Sequence, residues 1–119
     1  MKTADDGSMF VVMAVDFKDD ASCSAFFDDM RGQFAGTEAS FAGMEDMVKY
    51  GVLDQAGIYQ FALSMEYAGT AMDEYIDIKG DGDIATMVML ISTDPSSSTI
   101  SDLDAFYKAI GESSPRDLL

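Results

Sequence analysis

Between residues 58 and 91 the chain repeats one pattern, an alternating apolar segment and then a turn, and this restricts the fold more than any other feature. Ile58–Tyr67 alternates Tyr59, Phe61, Leu63, Met65 and Tyr67 against Ile58, Gln60, Ala62, Ser64 and Glu66, the period-two signature of a half-buried strand. Ala68-Gly69-Thr70 turns the chain. Met72–Lys79 then returns with Met72, Ile76 and Ile78 on one face and Asp73, Tyr75, Asp77 and Lys79 on the other. Gly80-Asp81-Gly82-Asp83 is a hairpin turn, because Asp-Gly tolerates the positive φ such turns require. Ile84–Ile91 (IATMVMLI) is apolar on both faces and reads as a central strand. Strands joined by such short turns must pair antiparallel.

The flanking segments complete an α+β domain. Ser8–Phe17 is apolar on both alternating faces, so a strand covered on both sides is expected over its middle. Asp19 or Asp20 can cap a helix over Ala21–Ala35, with Phe26, Met30 and Phe34 in a stripe flanked by Cys23 and Phe27. Gly36 is a reasonable stop, and residues 37–43 read as a loop. Met44–Leu53 fits a helical turn or a strand, and the nearby turn Asp54-Gln55-Ala56-Gly57 tilts the reading toward strand. A last helix begins at the capping box Ser101-Asp102-Leu103-Asp104, with Leu103, Phe106 and Ile110 as its apolar face. The expected fold is an antiparallel β-sheet with two helices packed on one face, in the order β-α-β-β-β-β-α. Residues 1–7 read as a flexible lead, 8–111 as a single domain and 112–119 as a loose tail. One helical layer cannot cover both sides of the two-faced apolar strands. The second sheet face is therefore expected to meet an N-terminal segment, a second copy of the chain in a homodimer, or a ligand.

Charge narrows the partners. Twenty-two Asp and Glu face seven Lys and Arg, a formal net charge of −15 among 119 residues. Nucleic acid is disfavoured, since phosphate binding needs clustered cations. Anionic membrane surfaces are disfavoured for the same reason, and no apolar run approaches a membrane span. Cations, basic peptides or a basic protein face fit the charge, as does a simple role in solubility or salt adaptation. There is no His, which removes the commonest general base and zinc ligand. The single Cys23 permits no internal disulfide. No apolar leader opens the chain, so it reads as cytoplasmic if Met1 is the native start.

Each candidate for chemistry has a plainer rival. An EF-hand loop from Asp77 fails, because Lys79 and Val88 stand where ligands are needed. Asp81 and Asp83 could make a two-carboxylate metal site, or simply the hairpin turn. Asp16, Asp19, Asp20, Asp28 and Asp29 form an acidic ridge able to hold a hard cation or dock a basic partner, or a solvated helix face. Ten methionines suggest Cu(I), but six of them (Met9, Met13, Met30, Met65, Met87 and Met89) fall on expected core positions. Cys23 lies near a helix N-terminus without a base, so an inert thiol is expected. Ser96-Ser97-Ser98 has no nucleophile-elbow context. Tyr67 at a strand end, with Tyr75 and Asp77 on the charged strand face, are the candidate ligand-binding residues. No cofactor is expected.

This order of elements resembles the PsbP/Mog1-like α+β domain of small bacterial lipoproteins, from about Ser8 to Glu112. The resemblance is carried by the apolar first strand, the Asp-capped helix from Asp20 to Phe34 and the turn from Asp54 to Gly57. It continues in the aromatic strand with Tyr59, Phe61 and Tyr67, the Gly-Asp-Gly turn, the apolar strand from Met87 to Ile91, and the terminal helix with Phe106 and Ile110. Such domains usually begin with a further extended segment carrying a Pro and a Trp, which this chain lacks there. The resemblance implies a secreted or lipid-anchored setting and a non-catalytic binding or structural role. Two alternatives are a cytosolic acidic dimeric chaperone for basic or amphipathic segments, resembling type III secretion chaperones, and a carboxylate-ridge cation binder.

Overall fold

Among the described residues six strands pair antiparallel into one sheet: β1 (Lys2–Thr3), β2 (Met9–Asp16), β3 (Val48–Gln55), β4 (Ile58–Tyr67), β5 (Thr70–Asp81) and β6 (Ile84–Ser92). Their spatial order is β1-β2-β6-β5-β4-β3. This computed structural model describes residues 2–3, 8–35, 48–55, 57–67, 69–93 and 98–119. β3 to β6 form a meander whose hairpins close on the pairs Gln55↔Ile58, Tyr67↔Thr70 and Asp81↔Ile84. In the last of these, Gly82 has φ +61°, where a β-carbon would be strained. β2 lies along the far side of β6, from Met9↔Ile91 to Asp16↔Ile84. Ser8 and Ser92 hydroxyls, 2.9 Å apart, tie its start to the end of β6. The mixed α+β class and the order β-α-β-β-β-β-α are as the sequence predicts. Val48–Gln55 is strand, and residues 44–47 lie outside the described residues.

The helices lie on opposite faces of this sheet, a correction to the expected shared face. Strand alternation points Tyr59, Phe61, Leu63, Ile76 and Ile78 to one side, where α1 (Asp20–Ala35) sets Phe27, Met30 and Phe34 against them. Ala62, Tyr75, Val88 and Leu90 point to the other side, where α2 (Ser98–Ile110) brings Ile100, Leu103 and Tyr107. The physical reason is burial. β6 is apolar on both sides, and Ala62 of β4 and Tyr75 of β5 extend its second apolar face, so each side needs its own cover. Ile100, Leu103 and Tyr107 are 6, 0 and 2% exposed. Burying three such side chains contributes about 1.5–3 kcal/mol each. That is comparable with the net stability of a whole domain, about 5–15 kcal/mol. The second face expected to take a homodimer partner or a ligand is therefore occupied by α2.

Both helices also differ in detail from expectation. Asp19 is the α1 cap, its carboxylate accepting from the Ser22 N–H at 2.7 Å, and this bond holds Asp19 below the ordinary carboxylate range. The sheet-facing stripe is Cys23, Phe27, Met30 and Phe34, while Phe26 turns aside to stack on Phe17 at 5.3 Å. α2 begins at Ser98, ahead of the expected box at Ser101, and Ile110 is exposed.

The expected loose tail is packed. Ser114 caps a short 3₁₀ turn, Pro115–Leu118, by a reciprocal bond with Asp117. Gln60 Nε2 donates to the Ser113 carbonyl at 3.1 Å, and Arg116 pairs with Asp104 of α2. Gly51 of β3 is required here, because a β-carbon on it would lie 2.8 Å from Leu118 Cβ and closer still to the Leu118 carbonyl oxygen.

Candidate functional site

On β5 the alternation places Asp73, Tyr75, Asp77 and Lys79 on the α2 side of the sheet, beneath α2 and the C-terminal turn rather than in solvent. Asp77 is 2% exposed. The buried Tyr107 hydroxyl donates to its Oδ2, and Lys79 Nζ stands 3.5 Å from the same oxygen. Lys79 also pairs with Glu112 and lies 5.8 Å from the Tyr107 ring centroid. Asp77 Oδ1 has no hydrogen-bond partner among the described residues. Burial, then the bond to Asp77 and its charge, push the Tyr107 phenol far above its ordinary value. Tyr107 is thus a fixed donor at neutral pH, and the group ties α2 to the sheet. Lys79, Gln60, Glu112 and Ser113 line an open cleft of about 480 Å³ beside it.

Tyr75 is equally covered, at 4% exposure, with the Arg116 guanidinium 5.8 Å from its ring centroid. Burial raises its phenol as well. Tyr75 and Asp77, candidate ligand-binding residues in the sequence, are therefore buried beneath α2 and the C-terminal turn rather than exposed. A charged strand pattern was the signal, and α2 covers it. The backbone of Tyr67 ends β4 opposite Thr70, and its side chain lies outside the described residues.

A second cleft, about 530 Å³, lies beside α1, lined by Cys23, Phe27, Arg31, Asp54, Gly57 and Gly80. Arg31 closes one side by an ion pair to Asp54 at 2.8 Å. Burial pushes the Cys23 thiol up, and the carboxylates of Asp83, Asp20 and Asp81 add to the shift. A protonated, buried sulfur is no nucleophile at neutral pH. Asp81 is exposed and Asp83 half-buried in the β5–β6 hairpin. Among the described residues no three His, Cys, Asp or Glu side chains converge in a way that could hold a metal ion. The same carboxylates do build an acidic end of the molecule. There α1 begins, β2 ends at Asp16 opposite Ile84, and the hairpin tip brings Gly82 toward Asp20.

The strand leading into this end is the feature that sequence reasoning misread. β2 is apolar on both faces, yet Val12 is 43% and Met13 37% exposed. Its inner edge pairs with β6 along its whole length, whereas β1 pairs only with Met9 and Phe10. Among the described residues, the outer edge from Val11 to Asp16 has no strand beside it. No helix among the described residues is long and apolar enough to cross a membrane. No family model, curated protein or solved structure matches this chain.

Proposed function

We propose that the protein is a non-catalytic binding module whose partner is basic. The observation that carries this reading is the acidic end, where Asp16 ends β2, Asp19 and Asp20 open α1, and Asp81 and Asp83 flank Gly82 in the β5–β6 turn. A chain with a formal charge of −15 attracts cationic partners over its whole surface, and a focused patch of one sign raises encounter rates further. Two observations support the non-catalytic part. The buried Tyr107–Asp77–Lys79 group is used to hold α2, and the Cys23 thiol is held protonated. A secreted or lipid-anchored setting belongs to the same proposal through the resemblance.

Calorimetric titration with a blocked basic peptide tests it, at physiological ionic strength so that diffuse attraction is screened. One-to-one binding is expected. Reversing Asp16 and Asp83 to Lys should abolish it, and reversing Asp28 and Asp29 on the flank of α1 should not. Flat isotherms, or equal losses from both pairs of reversals, would refute the reading.

A further inference from the structure

We propose that the outer edge of β2 is a docking edge, taking an extended segment of another protein that adds antiparallel to the sheet and carries Arg or Lys at its N-terminal end. This deepens, and rests on, the basic-partner reading above.

The ladder itself shows which groups are open. The Phe17 N–H donates to the Asp83 carbonyl at 2.7 Å, and these residues continue the register in which Asp16 faces Ile84. In an antiparallel pair, directly opposed residues that exchange hydrogen bonds alternate with those that do not. Phe17, Val15, Met13 and Val11 therefore turn their N–H and C=O groups toward β6. Phe10, Val12, Ala14 and Asp16 turn theirs outward. β1 meets Phe10 through Lys2. The outward groups of Val12, Ala14 and Asp16 meet no strand among the described residues.

Edges of this kind are normally guarded by charge, Pro, Gly or a bulge, since they template foreign strands. The other edge of the sheet is guarded. β3 carries Lys49, Gly51 and Asp54, with Leu118 packed on Gly51 and Arg31 paired to Asp54. From Val11 to Val15 β2 carries none of these devices, and Val12 and Met13 present exposed apolar surface on opposite faces. An added strand would bury both.

Charge selects the occupant. A second copy pairing about Ala14 sets Asp16 against Val12, and pairing about Met13 sets Asp16 against Phe10. Either register leaves the carboxylate without a counter-charge and brings two formal charges of −15 together. In an antiparallel foreign strand the N-terminal end lies opposite Asp16, at the acidic end of the sheet. A cation there makes a favourable cross-strand pair.

The test is amide hydrogen exchange by NMR on the whole chain, with and without a blocked peptide of alternating Val and Thr headed by Arg. A Glu-headed peptide and an Arg-headed one N-methylated at alternate residues serve as controls. In the free protein the amides of Val12, Ala14 and Asp16 should exchange fast, and those of Met13 and Val15 slowly. The Arg peptide should protect the first three. Each N-methyl group should weaken binding about fivefold, one ladder bond being worth about 1 kcal/mol. Ala14→Pro removes an outward N–H and no bond to β6, and should weaken binding about tenfold or more. Should that variant not fold, the exposed Asp16→Lys suffices, weakening the Arg peptide and favouring the Glu peptide. Binding that survives N-methylation and leaves the β2 amides unprotected overturns the edge while leaving a basic partner standing. Failure of every basic peptide overturns both. Concentration-dependent protection of Val12 and Ala14 without peptide assigns the edge to a second copy and also overturns the proposal.

Discussion

Tyr107→Phe deletes one oxygen from a site with no solvent to replace it. Tyr107 and Asp77 are each 2% exposed, and the lost bond is one of two contacts at Asp77 Oδ2. Among the described residues the remaining contact is Lys79 at 3.5 Å, and Oδ1 has no hydrogen-bond partner to compensate. A hydrogen bond to a charged group contributes about 1.5–3 kcal/mol, and a buried acceptor left short of donors keeps its desolvation cost. We expect Tyr107→Phe to lose about 2–3 kcal/mol at neutral pH. With a urea slope of about 1–3 kcal/mol/M for a domain of this size, the midpoint should fall by roughly 1 M or more. The pH dependence provides a second readout. The folded phenol has its pKa raised above the unfolded value of about 10, so the unfolded chain releases a proton there that the folded chain keeps. The stability tied to this group is complete below pH 10 and falls above it, by up to about 1.4 kcal/mol per pH unit. Tyr75 is raised in the same direction, so the quantity to measure is the difference between wild type and variant. That difference should shrink steadily above about pH 10. A variant within about 0.5 kcal/mol of wild type at neutral pH, the scatter of ordinary surface changes, would refute the latch. So would a difference that stays constant through high pH.

Two further outcomes test the packing around the sheet. Gly51→Ala should cost about 1–3 kcal/mol by overpacking against Leu118, read by urea unfolding. In a chain ending at Ser113 the same substitution should become nearly neutral, and a cost that persists there would mean the turn does not rest on β3. The Cys23 thiol, 1% exposed and shifted up, should react slowly with an aromatic disulfide reagent at mildly alkaline pH and rapidly once urea unfolds the chain. Fast labelling of the native protein would contradict the burial.

The meander was legible because its signals are local. Strand alternation and Gly-containing turns at residues 57, 69 and 82 place three hairpins without reference to the rest of the chain. Helix placement is not local. Alternation along β5 says that Asp73, Tyr75 and Asp77 share a face, but not what lies over it. The stripe Ile100, Leu103, Tyr107 was present at helical spacing, and it ends in a residue whose polar tip needs a buried partner. Pairing that tip with a strand carboxylate could have moved α2 to the second face. The tail had its own signal in Ser114-Pro115-Arg116-Asp117, a cap with Pro at the first turn position and an acid at the third.

The same limit explains β2. A segment apolar on both faces is the usual mark of a central strand, and Ile84–Ile91 follows that rule, with β2 and β5 on its two sides. Ser8–Phe17 carries the same mark and breaks the rule, since among the described residues only Lys2 and Thr3 lie beyond it. Hydrophobicity records what a strand face is suited to meet, not whether this chain supplies it. Where the described fold leaves such a strand open at Val12 and Met13, with carboxylates gathered at one end, the sequence is better matched to an extended basic segment than to water.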